Sequence, residues 1–544
     1  MQPLFLDTRP LDQRVREKFN LTEDIMMENA AVAIEKDVQL CADDSDEITN
    51  VLVLAGSGNN GADGYALSRR LAGSEIKVTV CEVAVPKSEM CKTQKLRAEK
   101  VGVEIKKFSE LDLSSYNIIV DCIFGSGFHG ILPEDVAEVI SKVNETDVVR
   151  IACDVPTGLD KYGNAEGEVF SATVTVTMGA NKVCLYSDAA KEFVGEVVLA
   201  DLGVSRNLFC GQLKKNGDEK NLQGVESNEQ NLVLPEEMLL EESDMVLPHR
   251  NKQNVNKGSF GHAAIVTGEK IGAGVIAGSS TLRFGAGLVT LVSFEKEISC
   301  GDKVELNEDG LLPQQKQIFP YELMCSKTFP SNTTAVALGM GLGRNNNSTE
   351  KYFDYLYEHK DLPCVLDADI FYSDSLCAFL KSRSDDYLKS SASNNKVCDA
   401  KIVLTPHPKE FVSLLEKCSL SLDDRESSIS VNEAVENKVE LVKEFCLKFP
   451  GVVLLLKGAN VTIGVKFANE ENVRLYVNPY GTSVLAKAGS GDVLSGMICS
   501  LLAQKYNSLD ATISASLAHA LASRNVDCDF SLTPFSLMKE VSLL

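Results

Sequence analysis

Four residues near the C-terminal end, Gly489, Ser490, Gly491 and Asp492, carry a pattern that could do chemistry. They follow a β-rich run ending at Val477 and open an apolar helical stretch, DVLSGMICSLLA. Glycines at a helix start leave successive backbone N–H groups without intrahelical partners, and the helix dipole adds partial positive charge there. Such a start binds anions. A carboxylate at that place would repel a phosphate, so Asp492 needs a different task, and proton removal fits it. From these four residues alone, a glycine-rich turn with an acidic N-cap reads equally well.

A second set lies in the N-terminal half. The apolar run NVLVLA (Asn50–Ala55) reads as a buried strand and is followed by GSGNNGADG, then an amphipathic helix. Strand, glycine loop and helix follow the Rossmann grammar. The loop is not GxGxxG, because Asn59, Asn60 and Asp63 stand beside Gly61 and Ala62, where a plain dinucleotide loop uses small residues. Two later β-runs end in acids, Asp121 in DCIFGSGFHG and Asp154 in DVPTGLD. One aspartate at a strand end is commonly an N-cap. Two of them, with NNGAD as a third element, make a site.

These residues need a scaffold. Further β-runs at IKVTVCE, TVTVTMG and GEVVLAD alternate with helical segments, which predicts a parallel doubly wound sheet whose ligands sit beyond the strand C-termini. Residues 11–40 read as helical and contain MENA (Met27–Ala30), where Glu28 and Asn29 interrupt the apolar stripe. In the C-terminal half, Gly272–Gly274 are placed at a helix start, and the strand AVAL leads into glycines 339, 341 and 343. LDAD puts Asp367 and Asp369 two residues apart and so on one face of a strand. His407 sits between two prolines beside Glu410 and is held rather than mobile. VVLLLKGANVTI reads as a buried strand turning at Lys457 and Gly458 into a hairpin partner. Arg250, Lys252 and Lys257 form a local basic segment, either ordinary surface charge or phosphate contacts.

Composition bounds the class. The 544 residues exceed one ordinary core, 44% are apolar, and the net charge of −23 argues against nucleic acid and an anionic membrane as partners. Sixteen scattered cysteines without a CxxC pair argue against zinc or redox motifs and for a reducing, cytoplasmic setting. The N-terminal stretch has acids and no apolar h-region, so no signal peptide is expected, and no apolar run reaches membrane-spanning length.

MENA, GSGNNGADG, DCIFGSGFHG and DVPTGLD resemble, in order and spacing, the NAD(P)H-hydrate epimerase family over about residues 5–205. KGSFGH, FGAGLVT, GMGLG, LDAD, TPHPKEF, LLKGA, NPYG and GSGD resemble the NAD(P)H-hydrate dehydratases, a branch of the ribokinase-like kinases, over about residues 235–540. The first resemblance implies that Asn59, Asn60, Gly61, Ala62 and Asp63, with Gly125, Ser126, Gly127, Phe128, His129, Gly130 and Ile131, contact the hydrated nucleotide. It also implies that Asn60, Asp121 and Thr157 hold a potassium ion and that Asp154 sits at the reacting centre. The second implies that Ala273, Gly341, Gly343, His407 and Asp492 face the hydrated nucleotide, while Lys457, Gly458, Ala459, Asn460, Val461 and Gly491 contact ADP or ATP with magnesium. Three departures stand out. Ala62 replaces a usual glycine, the loop after Thr267 is short, and Asn256 replaces a common histidine, the last two expected near the substrate side.

The expected architecture is therefore α/β in two domains: a Rossmann-like doubly wound sheet over 1–215 and a ribokinase-like fold over 233–544, joined by a polar linker at 216–232. The expected enzyme epimerises and dehydrates hydrated NADH and NADPH, working on small molecules as a homo-oligomer. The alternative is a sugar or vitamin-precursor kinase fused to a catalytically weak nucleotide-binding domain.

Overall fold

The computed structural model describes residues 1–43, 49–74, 76–211, 233–294, 320–344, 346–394, 401–420, 429–526 and 528–544. The expected linker, 216–232, lies outside the described residues. The chain divides into two compact units, Gln2–Met238 and Leu239–Leu544, the second also taking Met1. Among the described residues no helix is long and apolar enough to cross a membrane.

In the first unit, seven strands form an all-parallel sheet in the order Glu104–Lys106, Lys77–Glu82, Asn50–Ala55, Ile118–Cys122, Val149–Cys153, Val174–Met178, Glu196–Ala200. Runs such as NVLVLA and IIVDC are almost wholly buried, as parallel strands covered on both faces must be. The chain winds outward from Asn50–Ala55 in one direction and then returns to its other side at Ile118–Cys122. That reversal opens a crevice between the two strands at their C-terminal ends. Register brings the exits level: Ala55 pairs with Cys122, Asp121 with Ala152, and Cys153 with Val176.

Glycine makes the close approach at this edge possible. A β-carbon on Gly56 would lie 2.0 Å from the Ile123 carbonyl oxygen, and one on Gly61 equally close to the Gly56 oxygen. The helix that follows, Asn59–Leu71, presses Gly64 against Cys122 and Val53. The predicted helix over 11–40 is two helices, Arg9–Phe19 and Glu23–Asp43. Asn20 ends the first in the left-handed conformation, φ 58°, which a continuous helix cannot contain.

The second unit carries seven parallel strands in the order Met324–Ser326, Leu288–Val292, His262–Val266, Ala335–Leu338, Cys364–Leu366, Ile402–Leu404, Val452–Leu456, extended by an antiparallel hairpin, Val461–Val465 and Arg474–Asn478. Leu338, Leu366, Leu404 and Leu454 pair in one row, so the loops that follow leave from one edge. The helix opened by the GSGD turn, Ser490–Ala503, lies against Ile271–Arg283 through small residues. A β-carbon on Gly496 would lie 2.3 Å from the Ala277 oxygen, and Thr281 Oγ1 donates to the Gly496 carbonyl at 2.9 Å. This contact fixes the height of the GSGD turn above the sheet.

Candidate active sites

In the first unit the crevice is lined by the residues that the sequence singles out. Asp121 is wholly buried in its strand; its Oδ1 accepts from Thr157 Oγ1 at 2.8 Å and from the Ile123 N–H at 3.1 Å. Its Oδ2 accepts from the Thr157 N–H at 2.8 Å. Burial pushes this carboxyl up to about 6, although the three hydrogen bonds oppose the rise. Asp154 follows the strand Val149–Cys153 with φ 71°, left-handed backbone that is uncommon outside glycine. It lies on the side of Gly125: a β-carbon there would be 3.0 Å from Asp154 Oδ2 and 3.4 Å from Asn60 Oδ1. Asp121, Thr157, Asn60, Gly125 and Asp154 thus converge.

Asp154 has a partner that sequence reading misses. Lys182 Nζ stands 2.7 Å from Asp154 Oδ1, and Ser126 donates its N–H to Oδ2 at 3.1 Å. Burial alone would raise this carboxyl, but the Lys182 charge and these hydrogen bonds prevail and hold it below its ordinary value. Asp63 is pushed well above the ordinary carboxylate range by burial and by the charges of Asp154, Asp12 and Glu23. The two carboxyls are thus pushed in opposite directions, an arrangement suited to acid and base roles.

The remaining expected contacts are placed as follows. Asn59 donates to Glu23 Oε1 at 2.6 Å, and the Nδ2 of Asn60 is buried with no partner among the described residues. Gly127, His129, Gly130 and Ile131 are exposed, with Phe128 stacked on Phe124 at 5.2 Å. Ala62 is wholly buried and its methyl belongs to the apolar cluster around Val51, Val53 and Tyr65. The extra carbon therefore packs in the core.

In the second unit Asp492 occupies the first turn of its helix and is half-buried, within reach of the charges of Asp367, Asp369 and Glu410. Burial first, then these charges, push it up to about 7 against the opposing charge of Lys457. The turn depends on Gly489, which adopts φ 88°, where a β-carbon would meet Pro534 at 2.6 Å. Lys457 Nζ bonds Asp367 Oδ1 at 2.8 Å and lies 3.2 Å from the place of a β-carbon on Gly491. An ammonium and the start of the GSGD helix thus face the same space, with the Ser490 N–H itself donating to the Lys487 carbonyl at 3.2 Å.

Three further residues brace this arrangement and were not legible in the sequence. Ser495 donates to Asp367 Oδ2 at 2.6 Å, Thr405 lies 3.3 Å from Ser495, and His519 Nε2 contacts the Ser490 carbonyl at 2.9 Å. Burial pushes His519 down to about 4, so it is neutral and Nε2 carries the proton given to that carbonyl. A lone histidine in an alanine-rich helix gives no pattern to read.

Other expectations are modified. Asp367 and Asp369 do not share a strand face, because the strand ends at Leu366 and a 3-10 turn, Ala368–Tyr372, begins at once. Asp367 turns to Lys457, while Asp369 accepts the Gly343 N–H at 2.9 Å. Gly341 and Gly343 are buried against the backbone of Lys270 and the side chain of Glu269, and Ala273 stands 3.0 Å from a β-carbon on Gly341. His407 is held as expected, as the N-cap of Pro408–Lys417: its Nδ1 accepts the Lys409 and Glu410 N–H groups. Gly458 and Ala459 are exposed, and Asn460 is buried with its carbonyl accepting from Lys438 at 2.9 Å. Val461 opens its strand and Gly491 lies in the GSGD turn.

For the basic segment the structure favours the first of its two readings, ordinary surface charge. Lys257 lies in the turn that precedes the strand His262–Val266, and Arg250 bonds the Gly285 carbonyl and stacks 4.2 Å from the Phe260 ring centroid. That is the N-terminal edge of parallel strands, opposite the glycine loops, so these charges are surface charge. Asn256, the N-cap of the same turn, lies at that edge too and not on the substrate side.

Comparison with known proteins agrees with both halves. Residues 23–184 match the family described as YjeF-related protein N-terminus, and residues 263–542 match the NAD(P)H-hydrate dehydratase family. The chain is 37% identical to the bifunctional NAD(P)H-hydrate repair enzyme of Helicobacter pylori, with 100% of each chain covered. It is 26% identical to the Escherichia coli enzyme of the same description, covering 89% of this chain and 82% of that one. An ADP/ATP-dependent NAD(P)H-hydrate dehydratase structure from Bacillus subtilis, crystallised with ATP and magnesium, aligns with 56% of this chain and 96% of its own, at TM-score 0.39 and 22% identity. On its full-length kinship, the chain belongs to the bifunctional NAD(P)H-hydrate repair enzyme family.

Proposed function

We propose that the two units repair hydrated NADH and NADPH in succession. In such a substrate, water has added across the nicotinamide 5,6 double bond and the hydroxyl sits at C6. The N-terminal unit interconverts the R and S epimers at C6. The C-terminal unit dehydrates the S form at the expense of ADP, or of ATP, releasing AMP, or ADP, and phosphate. The observation that carries the reading is full-length kinship with a bifunctional repair enzyme. The same kinship removes the alternative of a sugar or vitamin-precursor kinase.

In the epimerase site Asp154 is the ionised group and Asn59–Asp63 with Gly125–Ile131 bind the nucleotide. A potassium ion fits beside Asn60, Asp121 and Thr157. The donors are oxygens, as a hard cation needs, and among the described residues the wholly buried Asp121 carboxylate meets amide and hydroxyl donors but no ammonium or guanidinium. Asn60, Asp121 and Thr157 would hold such an ion, which would supply positive charge beside the Asp121 carboxylate.

In the dehydratase site Asp492, poised near neutrality, takes the C6 hydroxyl proton as that oxygen attacks the terminal phosphorus of the nucleotide. The phosphorus–oxygen bond to the rest of the nucleotide breaks. The GSGD amides and the Lys457 ammonium stabilise the charge that develops. The C6–oxygen bond then breaks with the electrons of N1 assisting, phosphate departs, and loss of a C5 proton restores the double bond. Magnesium neutralises phosphate charge when it is bound. Among the described residues no cluster of three or more histidine, cysteine or acidic side chains forms a cage for it. That suits a magnesium ion carried by the nucleotide phosphates.

A cytoplasmic setting is part of the reading, supported by buried free thiols such as Cys122, Cys153 and Cys364. So is a homo-oligomer, which light scattering tests. For the activity, the purified protein is mixed with R and S hydrated NADH and ADP while reduced-nicotinamide absorbance is followed. Complete recovery is expected. Arrest at half conversion removes the epimerase, and accumulation of a phosphorylated nucleotide restores the kinase.

A further inference from the structure

We infer that Lys182 is a positioning residue of the epimerase, fixing which oxygen of Asp154 meets the substrate. The inference rests on the reading of Asp154 as the group at the reacting centre. Lys182 ends the short strand Asn181–Lys182, paired with Phe5 of Gln2–Phe5, and its side chain is only 4% exposed. A buried ammonium is costly unless its protons are all engaged. Here Nζ stands 2.7 Å from Asp154 Oδ1 and donates to Thr177 Oγ1 at 2.9 Å and to the carbonyls of Met178 and Ala180 at 3.1 and 3.3 Å. Four acceptors share three protons, so none is left for a ligand. Lys182 acts through Asp154.

The two oxygens of Asp154 are not equivalent. Oδ1 is anchored, taking Lys182 and the Met178 N–H at 3.2 Å. Oδ2 takes the Ser126 N–H and faces the space above Gly125 and Asn60, where the substrate loops converge. The backbone adds to this aim. Asp154 has φ 71° and the Val155 N–H bonds the Cys153 carbonyl at 2.9 Å, a tight turn that a residue with a β-carbon holds only when its surroundings impose it. Among the described residues, the other ionisable groups that bear on the pair are acids or thiols: Asp12 from Arg9–Phe19, Asp63 from Asn59–Leu71, and Cys153 and Cys184. Glu23 acts on Asp63, and Arg16 acts on Asp12. Lys182 is the cation that bears on Asp154 itself.

The test uses the full-length enzyme with Lys182→Met and Lys182→Arg, assayed for interconversion of R and S hydrated NADH, with dehydration of the S form as a control. Lys182→Met is expected to lower the kcat of epimerisation by about a hundredfold or more, with KM within about threefold, the split that marks loss in the transition state. Lys182→Arg, which keeps the charge, is expected to retain about a tenth or more of the wild-type kcat. Wild-type kcat in Lys182→Met, or a change confined to KM, overturns the inference. Asp154→Asn in parallel separates the two readings. If it still epimerises, the assignment of Asp154 fails; if it is inactive while Lys182→Met is unaffected, the positioning role alone fails. Should Lys182→Met not accumulate as folded protein by thermal melt, Lys182→Gln carries the same test. It keeps a donor for Oδ1 without the charge, an intermediate kcat is expected, and wild-type kcat overturns the inference.

Discussion

Lys457 and Asp367 form a close ion pair, Nζ to Oδ1 at 2.8 Å, and the carboxylate is the more deeply buried partner, 3% exposed against 22%. The carboxylate is braced at its other oxygen by Ser495 and at Oδ1 also by the Ala368 N–H. The pair therefore orients the lysine toward the GSGD turn more than it stabilises the fold by charge. Asp367→Asn keeps the shape and removes the charge that aims Lys457. A hydrogen bond to a charged group is worth roughly 1.5–3 kcal/mol, so dehydration is expected to fall roughly ten- to a hundredfold. Epimerisation in the same preparation should be unchanged. Steady-state rates on the two epimers check this, and a loss shared by both activities would mean global damage.

Asp492 is expected to set the acid limb of dehydration. As a base it works deprotonated, and its carboxyl is pushed up to about 7, so the rate should be low in acid and rise with pH through that value. Asp492→Asn should lower the rate by roughly two to four orders of magnitude while nucleotide still binds. Asp369→Asn removes one of the negative charges that raise Asp492, so the limb should move to lower pH. A limb that stays in place, or an active Asp492→Asn, would remove Asp492 from the proton transfer.

How much of this was legible depends on how local each signal is. Strand–glycine–helix units announce themselves because the apolar run, the glycines and the helix that follows all lie within one short stretch of chain, as at Asn50–Leu71 and Arg474–Ala503. The braces do not. Lys182 is 28 residues from Asp154, Ser495 is 128 from Asp367, and only the sheet topology brings each pair together. Asp367 and Asp369 were misread because period-two alternation holds only inside a strand, and the strand stops one residue too early. The basic segment stayed open between two readings for a related reason. Its charge is visible in the chain, but which edge of the sheet receives it is not.

Asp154→Asn should stop epimerisation alone. The carboxylate is the ionised member of its cluster, with Ser126 and Met178 amides and Lys182 directed at it, and an amide in its place cannot accept a proton at either atom with comparable basicity. With the S epimer and ADP the variant should match wild type. With the R epimer it should proceed only at the rate of spontaneous epimerisation. Equal loss on both epimers would make the residue structural.

The crevice itself rests on Gly56, and the neighbouring Gly58 supplies the control. Gly56 leaves the strand Asn50–Ala55 with its N–H on the Cys122 carbonyl, and a β-carbon there would sit 2.0 Å from the Ile123 oxygen. That oxygen belongs to the backbone of the adjacent strand exit, so it cannot rotate away as a flexible side chain would. Gly56→Ala must spread the exits of the two strands between which the crevice opens, at a cost of roughly 1–3 kcal/mol or more. Gly58, the N-cap of Asn59–Leu71, has extended backbone and open space where its β-carbon would go. Gly58→Ala should cost under about 1 kcal/mol, the difference between these residues at an N-cap. Epimerase activity and thermal unfolding of both variants check this. Gly56→Ala is expected to lose epimerisation and melt earlier while Gly58→Ala keeps both, and equal behaviour of the two would show that the strand exits are not packed as described.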